Sequence, residues 1–201
     1  PDGEIAQPNG YANAPAELAT TPDDGNRNLF WWPAYAGVSR DGEFGFTTGP
    51  VSFDEARTPR GHYFTVWRRQ PDGAWKWIYD GGVGPIAEPN QIAPGAADVP
   101  SVPVASTGVG MEAAVTQVRA LEQNGALAYA ADARSYRARA APMVGAPGGV
   151  PDGIAYALHR VEASTAGDLV MVLGTARWPV EGGEAEGLFA RMWQHRPEGW
   201  R

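Results

Sequence analysis

The sequence predicts an α+β protein built from two copies of one small domain, and three observations lead to this prediction. Residues 61–80 read as a strand, a tight turn and a second strand. Residues 187–201 repeat most of that pattern at the end of the chain. Helical spacing of apolar residues precedes the second copy at residues 111–123, where Val115 and Val118 fall on one face. Helices beside an antiparallel run of strands are typical of the α+β class.

The first hairpin is organised around the Pro-Asp-Gly turn at residues 71–73. Proline presets φ for a turn, and glycine can take the positive φ that many turns need. The arms on either side are rich in aromatic and β-branched residues, as half-buried strands usually are. Large apolar side chains occur on both faces, with Phe64 and Trp67 on opposite sides. We therefore expect the hairpin to lie inside a sheet that is partly covered on both faces.

The repeat keeps a nearly constant offset along the chain. Five positions match at an offset of 126 residues: Gly61 with Gly187, Tyr63 with Phe189, Trp67 with Trp193, Pro71 with Pro197 and Gly73 with Gly199. The stretch that starts at Gly42 matches the one that starts at Gly167, at an offset of 125. Such a period is typical of a duplicated small domain. The predicted domains are residues 1–85 and 109–201, and the Pro-, Gly- and Ala-rich residues 86–108 are the predicted linker.

The remaining elements are predicted from turn residues and apolar spacing. In the first copy we expect a short helix at residues 14–18, with Pro15 near its first turn, and a strand at residues 43–48. Gly49 and Pro50 should break that strand, which resumes at residues 51–53. In the second copy we expect the helix at 111–123, short helices at 126–131 and 154–158, and a strand at 135–140.

Composition excludes several classes of function. The chain has 16 basic and 23 acidic residues, a formal net charge of −7, which argues against a nucleic-acid or anionic-membrane partner. It has no Cys, so a disulfide, a thiolate metal site and a Cys nucleophile are all excluded. No run approaches the ~18 apolar residues of a membrane-spanning helix. Without a visible leader peptide, the sequence leaves both the bacterial cytoplasm and the periplasm open as the compartment.

The repeated motifs resemble those of a known superfamily. The pattern G-x-Y/F-x-x-x-W followed by P-D/E-G-x-W, with residues 39–49 before it, is similar to the SnoaL-like branch of the nuclear transport factor 2-like superfamily. The resemblance covers most of residues 1–80 and 109–201. It implies tandem cone-shaped domains of the cystatin-like kind, each a curved antiparallel sheet wrapped on short helices around a pocket. Against that pattern the first copy lacks its opening helices and the second lacks the end of its last strand. We therefore expect either that the given sequence is shortened at both ends, or that each copy supplies the elements that the other copy lacks.

The resemblance also implies where catalytic groups would lie. Enzymes of this superfamily run acid–base chemistry in a dry pocket, which needs a carboxylate or His near the substrate and a hydrogen-bond donor opposite it. The candidates in the first copy are His62 and Asp80 as bases and Tyr35 as the donor. Leu188 stands at the position of His62 in the second copy, so the copies share no ionisable constellation. An isomerase or dehydratase-type lyase is therefore an alternative prediction.

The leading prediction is a pocket protein of unknown biological role that binds a small apolar or aromatic molecule, or an interaction module. The many aromatic residues favour it, because such rings suit a pocket for a flat ligand as well as a core. The predicted ligand-binding residues are Trp31, Trp32, Trp67, Trp77, Tyr129, Tyr136 and His159. The spacing of His, and of Gly, predicts neither a metal site nor a cofactor. The remaining alternative is a purely structural pseudo-dimer, whose copies pair through their sheets and which could self-associate.

Overall fold

A computed structural model describes residues 3–20, 28–85 and 108–201. In this part of the chain the protein is an α+β structure, dominated by curved and mostly antiparallel sheets, with two helices. The described residues form two compact units that do not follow chain order. The first draws on Pro1–Gly37, Gly45–Pro100 and Arg134–Val144, and the second on Val38–Phe44, Ser101–Ala133 and Gly145–Arg201. Each unit thus contains a segment from the other predicted domain. The predicted linker, except Gly108, lies outside the described residues.

The first unit contains a seven-stranded sheet and a separate strand pair. Its elements are β1 (Glu4–Gln7), β2 (Gly10–Asn13), α1 (Ala14–Thr20), β3 (Phe30–Trp31), β4 (Tyr35–Val38), β5 (Phe44–Ser52), β6 (Gly61–Arg69), β7 (Trp75–Val83), β8 (Arg134–Ser135) and β9 (Met143–Val144). The sheet order is β2-β1-β7-β6-β5-β3, with β4 also paired to β5. β1 runs parallel to β7, whereas β6 runs antiparallel to β7. β8 and β9 pair with each other.

An aromatic layer crosses one face of the seven-stranded sheet. It consists of Tyr35, Phe46, Phe64, Tyr79 and Tyr11, in that order across the strands. Successive ring centroids lie 5.7, 6.1, 6.0 and 6.2 Å apart, with tilted planes. This is the arrangement that aromatic pairs usually adopt in cores. The hairpin predicted at residues 61–80 is confirmed as β6 and β7, and its aromatic residues supply the middle of this layer.

The predicted break at Gly49 and Pro50 is wrong, because β5 runs through both residues. The glycine serves a close backbone approach. A Cβ at position 49 would lie 2.0 Å from the Trp32 carbonyl oxygen, so a larger residue would clash with the backbone of residues 32–34. This segment is hydrogen bonded to β5, because the Ala34 N–H donates to the Thr48 carbonyl at 2.9 Å. A glycine within a strand often marks such an approach rather than an end of the strand.

The second unit packs one helix on a four-stranded sheet. Its elements are α2 (Met111–Gln123), β10 (Ala155–Ala163), β11 (Leu169–Val180), β12 (Gly183–Arg196) and β13 (Gly199–Trp200), and the sheet order is β10-β11-β12-β13. Ala114 and Val118 of α2 are fully buried in one cluster with Val170, Val172 and Trp193 of the sheet. The helix predicted at residues 111–123 is confirmed, because its apolar spacing matches the face that meets the sheet.

Three other predictions for the second copy are wrong. Residues 155–163 form β10 rather than a helix at 154–158. Their burial alternates as in a strand, between exposed and half-buried at 155–160 and between buried and half-buried at 161–163. Residues 126–131 form no helix, and the strand predicted at 135–140 is confined to Arg134–Ser135. Short Ala-rich windows contain too few apolar residues for their period to distinguish a helix from a strand.

The repeat in the sequence is mirrored by two turns with the same hydrogen bonds. Ser39 and Ser164 start these turns, and each backbone N–H donates to the carbonyl five residues later, at 2.7 and 2.9 Å. The glycine three residues after each serine, Gly42 or Gly167, has a positive φ of 69° or 68°. Both turns lie in the second unit. The 125-residue offset therefore relates structurally equivalent positions.

The two turns also hold each other, in an arrangement that we call the turn clasp (residues 39–44 and 164–169). The Asp41 carboxylate accepts a hydrogen bond from the Ala166 N–H at 2.6 Å. In return, the Asp168 carboxylate accepts one from the Arg40 N–H at 2.9 Å. Ser164 donates its hydroxyl to Asp168 at 2.7 Å, which fixes that carboxylate. Each turn thus supplies the hydrogen-bond acceptor that the other turn needs.

Candidate functional site

The candidate site lies on the face of β5 and β6 that carries the aromatic layer. Side chains alternate along β6, so His62 and Phe64 share this face while Tyr63 and Thr65 point to the other. His62 is 1% exposed. Both of its ring nitrogens are buried, and neither has a hydrogen-bond partner among the described residues. Burying polar groups without partners costs free energy, so His62 requires an explanation beyond packing.

Tyr136 covers the flat face of the His62 ring. It comes from the β8–β9 segment (Arg134–Val144), which belongs to the same unit. The two ring centroids are 4.4 Å apart, and the ring planes are within 17° of parallel. The Tyr136 hydroxyl is hydrogen bonded to the Thr48 hydroxyl, which itself donates to the Tyr63 carbonyl and so accepts from Tyr136. The structure thus brings together one predicted catalytic residue and one predicted ligand-binding residue.

Burial sets the protonation state of both rings. It lowers the pKa of His62 from 6.5 to about 4, so the imidazole is neutral at pH 7. It raises the pKa of Tyr136, so the phenol keeps its proton. A neutral imidazole has one N–H donor and one nitrogen acceptor. The His62 imidazole therefore offers one hydrogen-bond donor and one acceptor, carries no charge and lies beside aromatic rings.

Acid is expected to destabilise the protein through His62. Between pH 6.5 and pH 4 the unfolded chain binds a proton at this residue and the native protein does not, so the free energy of unfolding falls as the pH is lowered. At pH 5 the loss attributable to His62 is about 2 kcal/mol. Urea unfolding at pH 7.5 and pH 5 should show this loss in the wild type and in His159→Phe, but not in His62→Phe. An equal pH dependence in all three proteins would contradict a buried neutral His62.

Tyr35 lies on the same face as His62 and is also covered by the β8–β9 segment. Its ring is buried, 5.7 Å from that of Phe46. The guanidinium carbon of Arg134 lies 4.7 Å from the centroid of the Tyr35 ring, within cation–π distance. The segment therefore places Tyr136 on His62 and Arg134 on Tyr35.

Asp80 lies on the opposite face of the sheet. It is paired with Thr65 across the β6–β7 ladder, and the Thr65 hydroxyl donates to its carboxylate. Burial raises the pKa of Asp80, which is the direction an acid–base role would need. However, the pleat directs His62 to the other face, so these two residues cannot line one pocket. His62 and Tyr35 therefore share one face of the sheet, and Asp80 lies on the other face.

The predicted aromatic ligand-binding residues of the first copy do not form one group. Trp67 and Trp77 are paired across the β6–β7 ladder on the face opposite the candidate site. Trp31 packs edge-on against Tyr63 on that same face and is 53% exposed. Trp32 is buried in the core of the unit. Most of the tryptophans thus lie away from His62.

Two predicted residues fall in the second unit, in different surroundings. His159 is exposed on β10. Tyr129 is hydrogen bonded to Arg191, and burial raises the pKa of its phenol. The guanidinium carbon of Arg191 lies 4.2 Å from the ring centroids of both Tyr156 and Phe189. Tyr129 therefore belongs to an arginine-centred aromatic cluster.

That cluster contains a buried ion pair that the sequence analysis missed. The Glu122 side chain is fully buried and accepts hydrogen bonds from Arg191 at 2.5 Å and from the Trp193 indole at 2.8 Å. Two signals in the sequence could have revealed it. Glu122 follows Val118 by four residues, so it lies on the apolar face of α2. Arg191 alternates with Phe189 and Trp193 on a strand, so it shares their apolar face.

Neither a metal centre nor a membrane-spanning helix occurs in the described ranges. Within them, no group of three or more His, Asp or Glu side chains is arranged to hold a metal ion. No helix in that part of the chain is long and apolar enough to cross a membrane. What the candidate site offers a ligand is the His62 ring nitrogens and the surrounding aromatic rings.

Comparison with known proteins does not assign the chain to a family. No family model matches it, and neither does any curated protein or solved structure. The resemblance to the SnoaL-like branch therefore stays a prediction, and the function of the site rests on its own residues and contacts.

Proposed function

We propose that the first unit binds a small, flat, uncharged ligand beside His62, which supplies the hydrogen bonds that hold it. The observation that carries this proposal is the pair of buried His62 nitrogens without partners among the described residues. A buried, unpaired polar group costs about 1–3 kcal/mol, and a ligand that pairs with it removes that cost. The pair of nitrogens therefore favours a polar partner that arrives from outside the described chain.

The surroundings of His62 favour an aromatic ligand without charge. The stacked Tyr136 ring and the neighbouring Phe46 and Phe64 rings present flat, apolar surfaces. Pockets with such linings hold apolar ligands and use a few polar groups for orientation. A charged ligand would need a buried counter-ion, which the neutral imidazole cannot provide, and the guanidinium of Arg134 already lies against the Tyr35 ring. A ring that carries a hydroxyl, an N–H or a carbonyl meets these requirements.

The proposal includes the tandem cone-shaped, SnoaL-like arrangement that the motifs imply. Two observations support it. The turns at Ser39 and Ser164 repeat the same hydrogen bonds at a constant offset, as a duplicated domain would. In addition, α2 packs on one face of a curved antiparallel sheet, as the helices of such a domain would.

An isomerase or lyase is less well supported than a binding protein. A histidine with a pKa of about 4 is a weak base at pH 7 and removes a proton from a substrate poorly. Asp80, the other proposed base, is directed to the opposite face of the sheet. The site therefore suits recognition better than proton transfer.

A structural pseudo-dimer is the second candidate, and the turn clasp favours it. Asp41 and Asp168 each bind the backbone of the other turn, and the two turns come from different copies of the repeat. Hydrogen bonds that join the two copies of a repeat hold those copies together, as an interface between subunits does. In this role, the two copies of the repeat would contact each other, or two protein molecules would associate through the same surface.

Loss of the His62 nitrogens is expected to abolish ligand binding. Native mass spectrometry of the protein as purified, with a denatured control, would show a bound small molecule in the wild type. Thermal unfolding with indole, quinoline or 2-naphthol as probes gives a second readout, because a ligand that binds the native state raises the melting temperature. His62→Phe keeps a flat ring without nitrogens and should lose both signals. His159→Phe is the matched control and should keep them. Binding that survives in His62→Phe would overturn the proposal.

A further inference from the structure

We propose that Tyr136 is the gate of the His62 site, and that the β8–β9 segment must carry its ring off the imidazole before a ligand can enter. The proposal takes its purpose from the proposed ligand site. Its geometry, however, is independent of which ligand binds. Both His62 nitrogens are buried and the Tyr136 ring covers the flat face of the imidazole, so entry requires one of the surrounding elements to move.

The β8–β9 segment is the most weakly held of the elements around His62. β6 lies inside the seven-stranded sheet, with β5 on one side and β7 on the other. β8 and β9 instead pair with each other, outside that sheet. No residue of Arg134–Val144 is fully buried, whereas His62 is. Elements with few buried contacts open at a lower free-energy cost than a sheet interior, so the segment moves before the strand does.

The ends of the segment are joined, which allows it to move as one piece. The Gly145 N–H donates to the Ala133 carbonyl at 2.9 Å, directly outside the two ends of the segment. Gly145 has a φ of 89°, a conformation that glycine adopts without strain. A compact loop of about this length with adjoining ends is of the Ω type, and such loops often carry function.

Contacts along the whole segment keep the gate closed, and they include the Arg134–Tyr35 contact described above. The Tyr136 ring stacks on His62, and its hydroxyl donates to Thr48. Farther along the segment, the Arg139 N–H donates to the Pro85 carbonyl at 2.7 Å. These contacts are opposed by a free-energy cost, because in the closed state neither His62 nitrogen has a partner within residues 3–20, 28–85 and 108–201. In the open state these nitrogens form hydrogen bonds with water, and in the closed state with a ligand they form them with the ligand. The closed state without a ligand is therefore the one in which the His62 nitrogens form the fewest hydrogen bonds.

Chemical modification of histidine tests the gate without any ligand. Diethyl pyrocarbonate carbethoxylates neutral imidazole nitrogens that solvent can reach, and peptide mass spectrometry gives the rate at each of the three histidines. In the wild type at pH 7, His62 should react at least about tenfold more slowly than the exposed His159. In Tyr136→Ala the His62 rate should rise about fiftyfold, with the His159 rate unchanged.

Tyr136→Phe is the variant that keeps the ring and the packed volume. It loses the bond to Thr48, and the His62 rate should rise about two- to tenfold, as expected for one hydrogen bond that holds a closed state. It also guards the test against a Tyr136→Ala protein that fails to fold, which circular dichroism would reveal. Three results would each overturn the gate. These are a wild-type His62 that reacts as fast as His159, a folded Tyr136→Ala protein with the wild-type rate, and a Tyr136→Phe protein as fast as Tyr136→Ala.

The gate and the ligand site fail in different ways. If His62 reactivity follows Tyr136 as expected but none of the probes binds, the gate stands and the proposed function is wrong. If a probe protects His62 in the wild type while Tyr136→Ala leaves the unprotected rate unchanged, the ligand site stands and the gate is wrong.

Discussion

Glu122→Ala is expected to lower the free energy of unfolding by about 3–5 kcal/mol, the usual effect of removing one partner from a buried ion pair. The Glu122 side chain is fully buried on α2 and binds both Arg191 and the Trp193 indole. Without the carboxylate, a largely buried guanidinium has no counter-ion and a buried indole N–H has no acceptor. Urea unfolding followed by tryptophan fluorescence gives the change in free energy.

Two further proteins separate the buried pair from ordinary surface electrostatics. Glu186→Ala removes a carboxylate that pairs with Arg177, but these side chains are 49% and 61% exposed, and no measurable change in the unfolding midpoint is expected. Glu122→Leu combined with Arg191→Met should recover part of the lost stability, because apolar residues can replace a whole buried pair but leave the Trp193 indole N–H without the Glu122 acceptor. If Glu122→Ala were as mild as Glu186→Ala, the buried pair would contribute no more than the surface pair.

Gly167→Ala is expected to destabilise the protein by about 4 kcal/mol or more, beyond the range of most single substitutions. Two causes add up at this position. Its φ of +68° lies in the left-handed region, which costs a residue with a Cβ about 1–2 kcal/mol. In addition, a Cβ at this position would lie 2.4 Å from the carbonyl carbon and oxygen of Gly110. Because those atoms belong to the backbone, the clash cannot be relieved by a side-chain rotation.

The repeat provides a matched control for this substitution. Gly42 occupies the equivalent position of the other turn, with a φ of +69°, and a Cβ added there would meet nothing within 4 Å. Gly42→Ala should therefore show the conformational cost alone, about 1–2 kcal/mol. Thermal or urea unfolding of both variants gives the difference, which isolates the crowding against Gly110. If the two variants lost the same free energy of unfolding, the backbone at Gly110 would be able to move away from the added Cβ at no cost in stability.

Much of the fold could be predicted because strong local patterns agree with the tertiary contacts. The period of Val115 and Val118 matched the face of α2 that meets the sheet, and its predicted bounds match the structure. The Pro-Asp-Gly turn placed the β6–β7 hairpin correctly. Prediction failed where a tertiary contact overrides a local rule. Gly49 lies inside a strand because another backbone passes close to it, and no sequence pattern records that approach.

The site was less predictable than the fold. Alternation along β6 correctly placed Phe64 and Trp67 on opposite faces. The face of Asp80 depends on the pairing register of β7, and the register shifts between Val66 and Trp67, which local alternation does not reveal. The stack of Tyr136 on His62 joins distant parts of the chain without any shared motif. Among the described residues the His62 nitrogens have no partner, which is a property of the whole environment and could be seen only after folding.

The exchange of segments between the two units has a consequence for a chain that emerges from the ribosome. The first unit takes Arg134–Val144 from far along the chain, and the second takes Val38–Phe44 from near its start. Domains usually fold in the order of their synthesis, and contacts between distant residues form slowly because long loops must close. The strands of the first sheet, β1–β7, leave the ribosome long before Tyr136 does. During that interval His62 of the nascent chain is not yet covered by Tyr136. Asp41 also lacks its hydrogen-bond donor, the Ala166 N–H, which has not yet been synthesised.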